Sequence, residues 1–108
     1  ACGDLDGDGR AEIVVGFSGS MRGVVQVFDD LSTGFAPMAT ARSNAAGFMQ
    51  IPVPGKFQGS IFPAIGEIDG DEGEELVLGM SQVKYGLIVV LDDATEGFVE
   101  ETRMGATL

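Results

Sequence analysis

The chain has 108 residues, with 17 Asp and Glu against 6 Lys and Arg, so its formal net charge is −11. This charge excludes a basic surface for nucleic acid or an anionic membrane, and the absence of His removes His-based catalysis and imidazole metal ligands. The single cysteine, Cys2, excludes an intrachain disulfide, and the longest apolar stretch, residues 87–91, is too short to span a bilayer. The length predicts one compact domain or a piece of a longer protein, and 44% hydrophobic residues are enough to build a core.

The first element along the chain is an acidic loop. Its Asp residues alternate with other residues, two Gly let the backbone curl, and a Glu follows four residues after the last Asp. This spacing is typical of a short loop that wraps oxygen atoms around a hard cation. The predicted Ca²⁺ ligands are the side chains of Asp4, Asp6, Asp8 and Glu12 and the backbone carbonyl of Arg10. A solvated turn without a cation is the less favourable alternative, because its carboxylates would repel one another.

Short β-branched apolar runs follow this loop and predict strands rather than helices. In the first half these strands are predicted at residues 13–17, 24–28, 35–40 and 48–53. Residues 24–28 are apolar nearly throughout, which predicts a strand buried on both faces and sheets stacked on sheets. Asp29 and Asp30 end that strand and are interpreted as turn residues rather than an acid–base pair. The Gly-, Ala- and Pro-rich residues 42–59 are predicted to be the longest connector.

The second half repeats this order. Strands are predicted at residues 60–65, 76–80, 87–91 and 98–103. Residues 87–91, like 24–28, are expected to be buried on both faces. A second Ca²⁺ loop is predicted to use the side chains of Glu67, Asp69, Asp71 and Glu75 and the backbone carbonyl of Gly73. We expect this site to be weaker, because Glu72 takes the sixth position, where a sharp turn favours Gly.

An internal repeat with an offset of 63 residues accounts for this likeness without gaps. Residues 3–8 align with 66–71, 12–16 with 75–79, 23–30 with 86–93, and 34–35 with 97–98. The chain therefore contains about 1.7 copies of one unit. We assign residues 1–63, with the connector 42–59, to the first repeat and residues 64–108 to the second.

Two other families with acidic loops do not fit the sequence. A helix-loop-helix calcium hand requires a bidentate Glu at the twelfth loop position, and those positions hold Val15 and Leu78 inside predicted strands. Dockerin loops run into amphipathic helices, whereas both loops here run into β-branched apolar segments.

The order of acidic loop, Glu-Ile-Val-Val-Gly strand and Gly-Val-Val-Gln-Val-Phe strand resembles the FG-GAP and VCBS repeats of integrin-α-type β-propellers. The resemblance implies an all-β fold of four-stranded blades, in which the calcium loop joins the innermost strand to the second. Residues 60–65, 76–80, 87–91 and 98–103 would then run from the inner to the outer strand of one blade. The inner strand of the first copy is almost wholly missing, and fewer than two blades cannot close a propeller.

The resemblance implies a calcium-stabilised extracellular or cell-surface scaffold for binding or adhesion, and not an enzyme. The alternative is a fragment of a carbohydrate-active propeller enzyme such as a polysaccharide lyase. Only Arg22, Lys84, Tyr85 and scattered carboxylates could take catalytic roles there, and they form no catalytic constellation. The expected partners are calcium, further copies of the chain or the remaining blades of a longer protein, and a glycan or protein ligand. Neither nucleic-acid binding nor membrane insertion is expected.

Overall fold

The computed structural model describes residues 1–18, 23–53, 59–81 and 86–105. These residues form two four-stranded antiparallel sheets, and no α-helix occurs among them. The first sheet contains β1 (Cys2–Gly3), β2 (Glu12–Gly16), β3 (Val24–Phe28) and β4 (Phe48–Gln50), and the second contains β5 (Ile61–Gly66), β6 (Glu75–Met80), β7 (Leu87–Leu91) and β8 (Glu100–Gly105). The all-β prediction is confirmed. Within the described residues, no helix has the length and apolar character needed to cross a membrane.

Equivalent elements of the two sheets lie 63 residues apart. Ile13 pairs with Phe28 between β2 and β3, as Leu76 pairs with Leu91 between β6 and β7. Each of these hairpins is followed by a one-turn 3₁₀ helix, Leu31–Thr33 in the first copy and Ala94–Glu96 in the second. Residues 63 and 64 both lie in β5, so the second sheet begins slightly before the second repeat as counted along the sequence.

The outer strand of the first sheet differs from the prediction. Residues 35–40 form no strand, and Pro37 makes only an isolated bridge with Phe28. The chain turns back instead, because the Ser43 hydroxyl donates to the Met38 carbonyl oxygen (2.7 Å) and the amide of Gly47 to the Asn44 carbonyl oxygen (2.9 Å). The predicted strand 48–53 is shortened to β4, which pairs with β3 from inside the predicted connector. β1 is only two residues long.

One hydrophobic core spans both sheets. It contains Leu5, Val14, Val25, Val27, Met49, Ile51, Ile61, Leu76, Leu78, Met80, Val89, Leu91 and Phe98. The expected burial of β3 on both faces is wrong, because Val25 and Val27 are buried while Gln26 between them is only half-buried. In β7, three consecutive residues ending at Leu91 are buried, and the two before them are half-buried.

The two copies contact each other directly. β5 packs against β1 and β2, and the approach is so close that a Cβ on Gly16 would lie 2.2 Å from the carbonyl oxygen of Ile61. Among the described residues, three backbone hydrogen bonds join the units of the two sheets. The amide of Ile61 donates to the Phe17 carbonyl oxygen (3.3 Å), that of Glu74 to the Asp4 carbonyl oxygen (2.7 Å) and that of Ala94 to the Leu5 carbonyl oxygen (2.8 Å). The side chain of Leu5 is completely buried. The first acidic loop is therefore part of the contact between the copies.

Candidate metal centre

Strand pairing brings the acidic groups to one end of each sheet. The loop joins β1 to β2, and Asp29 and Asp30 follow the end of β3. Because Ile13 pairs with Phe28 in an antiparallel ladder, Glu12 at the start of β2 lies opposite Asp29. The pairing of Leu76 with Leu91 gives the second sheet the same arrangement.

The predicted ligands of the first loop come together. Asp4, Asp6, Asp8 and Glu12 each place a carboxylate oxygen within 4.8 Å of the others. Arg10, predicted to contribute its carbonyl, is exposed, and its amide donates to Asp8 Oδ1 at 2.8 Å. Oxygen atoms this close can share one hard cation.

The loop backbone is held by its first carboxylate. Asp4 accepts hydrogen bonds from the amides of Gly7 (2.8 Å), Asp8 (3.1 Å) and Gly9 (2.9 Å). Gly7 and Gly9 have φ values of 78° and 86°, a region that L side chains rarely enter. The two glycines therefore allow the sharp curl that the sequence predicted.

Glu12 is the buried carboxylate of the first acidic centre, which the residues of the first loop form. Its side chain has no exposure, its Oε2 accepts hydrogen bonds from Leu5 and Asp6, and its Oε1 has no hydrogen-bond partner. Burial raises the pKa of Glu12 to about 7, and the charges of Asp6 and Asp8 add to this effect. A buried carboxylate without a partner is costly unless a proton or a cation neutralises it.

The Asp pair after β3 belongs to the same centre, which the sequence analysis missed. Asp30 caps the 3₁₀ helix by accepting the Ser32 amide at 2.6 Å, so its turn role is confirmed. Asp30 is also 1% exposed, and its Oδ2 has no hydrogen-bond partner. Asp6, Glu12, Asp29 and Asp30 form a second group of oxygens within 4.8 Å of one another. The signal that could have found the pair is its recurrence as Asp92 and Asp93.

The second loop repeats these features with its own residues. Glu67, Asp69, Asp71 and Glu75 lie within 4.8 Å of one another, as do Asp71, Glu75, Asp92 and Asp93. Glu75 is fully buried, and its Oε2 has no hydrogen-bond partner. Gly73, predicted to contribute its carbonyl, is buried against Asp93, and a Cβ there would lie 2.6 Å from the Asp93 carboxyl carbon. Glu101 in β8 joins Asp69 and Asp92 in a further group that the sequence did not suggest.

The two loops differ in how firmly the backbone is held. Glu67 accepts one loop amide, that of Gly70 at 2.6 Å, where Asp4 accepts three. Gly9 occupies the left-handed region, but its counterpart Glu72 is not among the residues with positive φ. The expectation that Glu72 accepts a turn natural to Gly is therefore wrong, because the second loop takes a different backbone path at this position.

Comparisons with protein-family models, curated proteins and solved structures found no match for this chain. The resemblance to FG-GAP and VCBS repeats therefore stays a prediction based on the loop and strand pattern. The candidate catalytic groups Arg22, Lys84 and Tyr85 lie outside the described residues.

Proposed function

We propose that the chain is a calcium-binding β-repeat scaffold of the propeller type, with one Ca²⁺ held by each acidic loop. The ligands are those predicted from the sequence, with Asp30 and Asp93 added beside them. The observation that carries the proposal is a buried carboxylate oxygen without a partner at the same place in both copies, Glu12 Oε1 and Glu75 Oε2. Two such oxygens at equivalent positions are most simply explained as ligands of a cation.

The donor set favours calcium among the common cations. The centres offer carboxylate oxygens from the loop and the Asp pair, and these residues supply no nitrogen or sulfur. Hard oxygen donors in a flexible loop suit Ca²⁺, whereas zinc and copper prefer imidazole or thiolate. Two positive charges also reduce the repulsion among the four carboxylates of each loop.

The proposed role of the ion is structural. It would connect the β1–β2 loop, the start of β2 and the turn after β3, and so stabilise the folded state by mass action. Loops of this kind in extracellular modules bind Ca²⁺ at about 10⁻⁴ to 10⁻³ M, which suits a secreted or cell-surface protein. The proposed partners are further copies of the chain or neighbouring repeats, and a glycan or protein ligand.

The test is calcium titration of the wild type and of Asp6→Ala, combined with thermal unfolding. We expect two sites per chain in the wild type and one in the variant, because Asp6 is common to both oxygen groups of the first centre. The variant should also gain less thermal stability from calcium. Glu96→Gln is the control, since Glu96 is exposed and lies outside the acidic groups.

An unchanged number of sites in Asp6→Ala would contradict the assignment of the first centre.

An assay with acidic polysaccharides separates the two functional proposals. Binding without turnover supports the scaffold, whereas depolymerisation supports the lyase alternative.

A further inference from the structure

In the contact between the two copies, a loop of the first copy inserts into a recess of the second. We call these the projecting side and the receiving side. The projecting loop of the first copy carries Leu5, whose side chain is fully buried and whose carbonyl oxygen accepts a hydrogen bond from the Ala94 amide. The second copy receives it beside Glu74, whose amide donates to the Asp4 carbonyl oxygen. Because both copies have the same design, the first copy also has a receiving side and the second copy also has a projecting one.

These two further sides are uncovered. Ile68, the counterpart of Leu5, is 57% exposed, and Leu31, the counterpart of Ala94, is 74% exposed. Ala11 is the counterpart of Glu74 and is also exposed. Within the described residues, the amides of Ala11 and Leu31 have no acceptor, whereas those of Glu74 and Ala94 are bonded across the copies.

The turn after the 3₁₀ helix shows the same difference. Phe35 and Phe98 both follow a left-handed Gly and have φ values of 60° and 58°, which are unfavourable for a bulky side chain. Phe98 is fully buried, and its carbonyl oxygen accepts a hydrogen bond from Arg42 of the first copy at 3.2 Å. Phe35 has the same backbone conformation but remains 42% exposed. Its turn lacks the cover that the first copy gives to the second.

A groove of about 650 Å³ marks the uncovered receiving side. Its wall is formed by the apolar side chains of Cys2, Ala11, Ile13, Leu31 and Phe35 together with Arg10, Asp30 and Ser32. Arg10 is exposed on this wall, whereas Asp30 of the same wall is only 1% exposed, and Ile68 is flanked by Glu67 and Asp69. The groove and the Ile68 projection therefore match in apolar character, and the exposed Arg10 can pair with the carboxylates beside Ile68.

We infer that the groove of one chain binds the Ile68 loop of a second copy of the chain, as the second sheet binds the Leu5 loop of the first. The contact is head-to-tail, because each chain has one projection and one groove on different surfaces. This inference builds on the self-association proposed above and names the two surfaces through which it takes place. It rests on the packing and the surface charges of the chain and needs no bound cation, so a failure of calcium binding in the titration would leave it intact.

The test uses two variants that each remove one side of the contact, Ile68→Ser and Leu31→Ser. Both replaced side chains are largely exposed, so each single chain should fold as the wild type does. We expect the wild type to associate at micromolar concentration in light scattering, and each variant alone to be monomeric. Val99→Ser is the control, since Val99 is 59% exposed but lies outside the groove and the projection.

Mixing the two variants distinguishes a head-to-tail contact from a symmetric one. The Ile68→Ser chain keeps its groove and the Leu31→Ser chain keeps its projection, so the mixture should form dimers and nothing larger. A wild type that stays monomeric with calcium and with chelator would overturn the inference. Variants that associate as the wild type does, or a mixture that stays monomeric, would overturn it as well.

Discussion

Glu12 couples the stability of the metal-free protein to pH. Its pKa is about 7 in the folded state, mainly because of burial, against 4.5 for the ordinary side chain. Between these values the folded state holds more protons than the unfolded state, so the free energy of unfolding falls as pH rises from about 4.5 through 7. Burial also raises the pKa of Asp6, which acts in the same direction.

We predict that denaturant unfolding in chelator gives a lower free energy of unfolding at pH 7.5 than at pH 5. Calcium should remove or reverse this slope, because the cation binds the ionised carboxylates. In Glu12→Gln the slope should become shallower, since this side chain no longer takes up a proton. Equal slopes in wild type and variant would show that Glu12 does not carry the effect.

Asp30 combines a capping role with a buried oxygen that has no partner, and one substitution separates the two. Asn at position 30 can still accept the Ser32 amide, but it lacks the negative charge. We predict that Asp30→Asn weakens calcium binding at the first centre by about 10-fold while the metal-free fold is retained. Calorimetry measures the affinity, and Glu96→Gln is again the control. An unchanged calcium affinity would show that Asp30 only caps the 3₁₀ helix and does not contribute to calcium binding.

At the scale of the loop, the second centre should bind calcium more weakly than the first. The Glu67 carboxylate accepts one hydrogen bond from a loop amide, whereas the Asp4 carboxylate accepts three. More of the second loop must therefore be ordered when calcium binds. A titration in which the second site equals or exceeds the first would contradict this ranking.

The elements that the sequence predicts well are those whose signal is local. β2, β3, β6 and β7 were expected within one residue at each end, because β-branched runs between Gly and acidic residues specify a strand by themselves. The predicted strand at residues 35–40 does not form, because hydrogen bonds of Ser43 and Gly47 fold this part of the chain back. The place of Asp30 beside Glu12 in one acidic cluster depends on the register of β2 against β3, which no local pattern contains.

At the scale of the whole molecule, the repeat predicts that two units of one design are present. It cannot predict which surfaces remain uncovered, because that depends on the Leu5 loop packing beside Ala94 and on the exposure left at Ile68 and Leu31. The same design also explains the unequal exposure of Phe35 and Phe98. One unit has a neighbour at its receiving side and the other does not.

A cysteine lies on the uncovered receiving side, where its reactivity can report whether the groove is occupied. Cys2 is exposed, is the only thiol in the sequence, and lies on the wall of the groove. Its counterpart Ile65 is pressed against the first copy, where a Cβ on Gly3 would meet the Ile65 side chain at 2.4 Å. The rate at which a maleimide alkylates Cys2 therefore measures how often the groove is empty, and it does so in the unsubstituted chain.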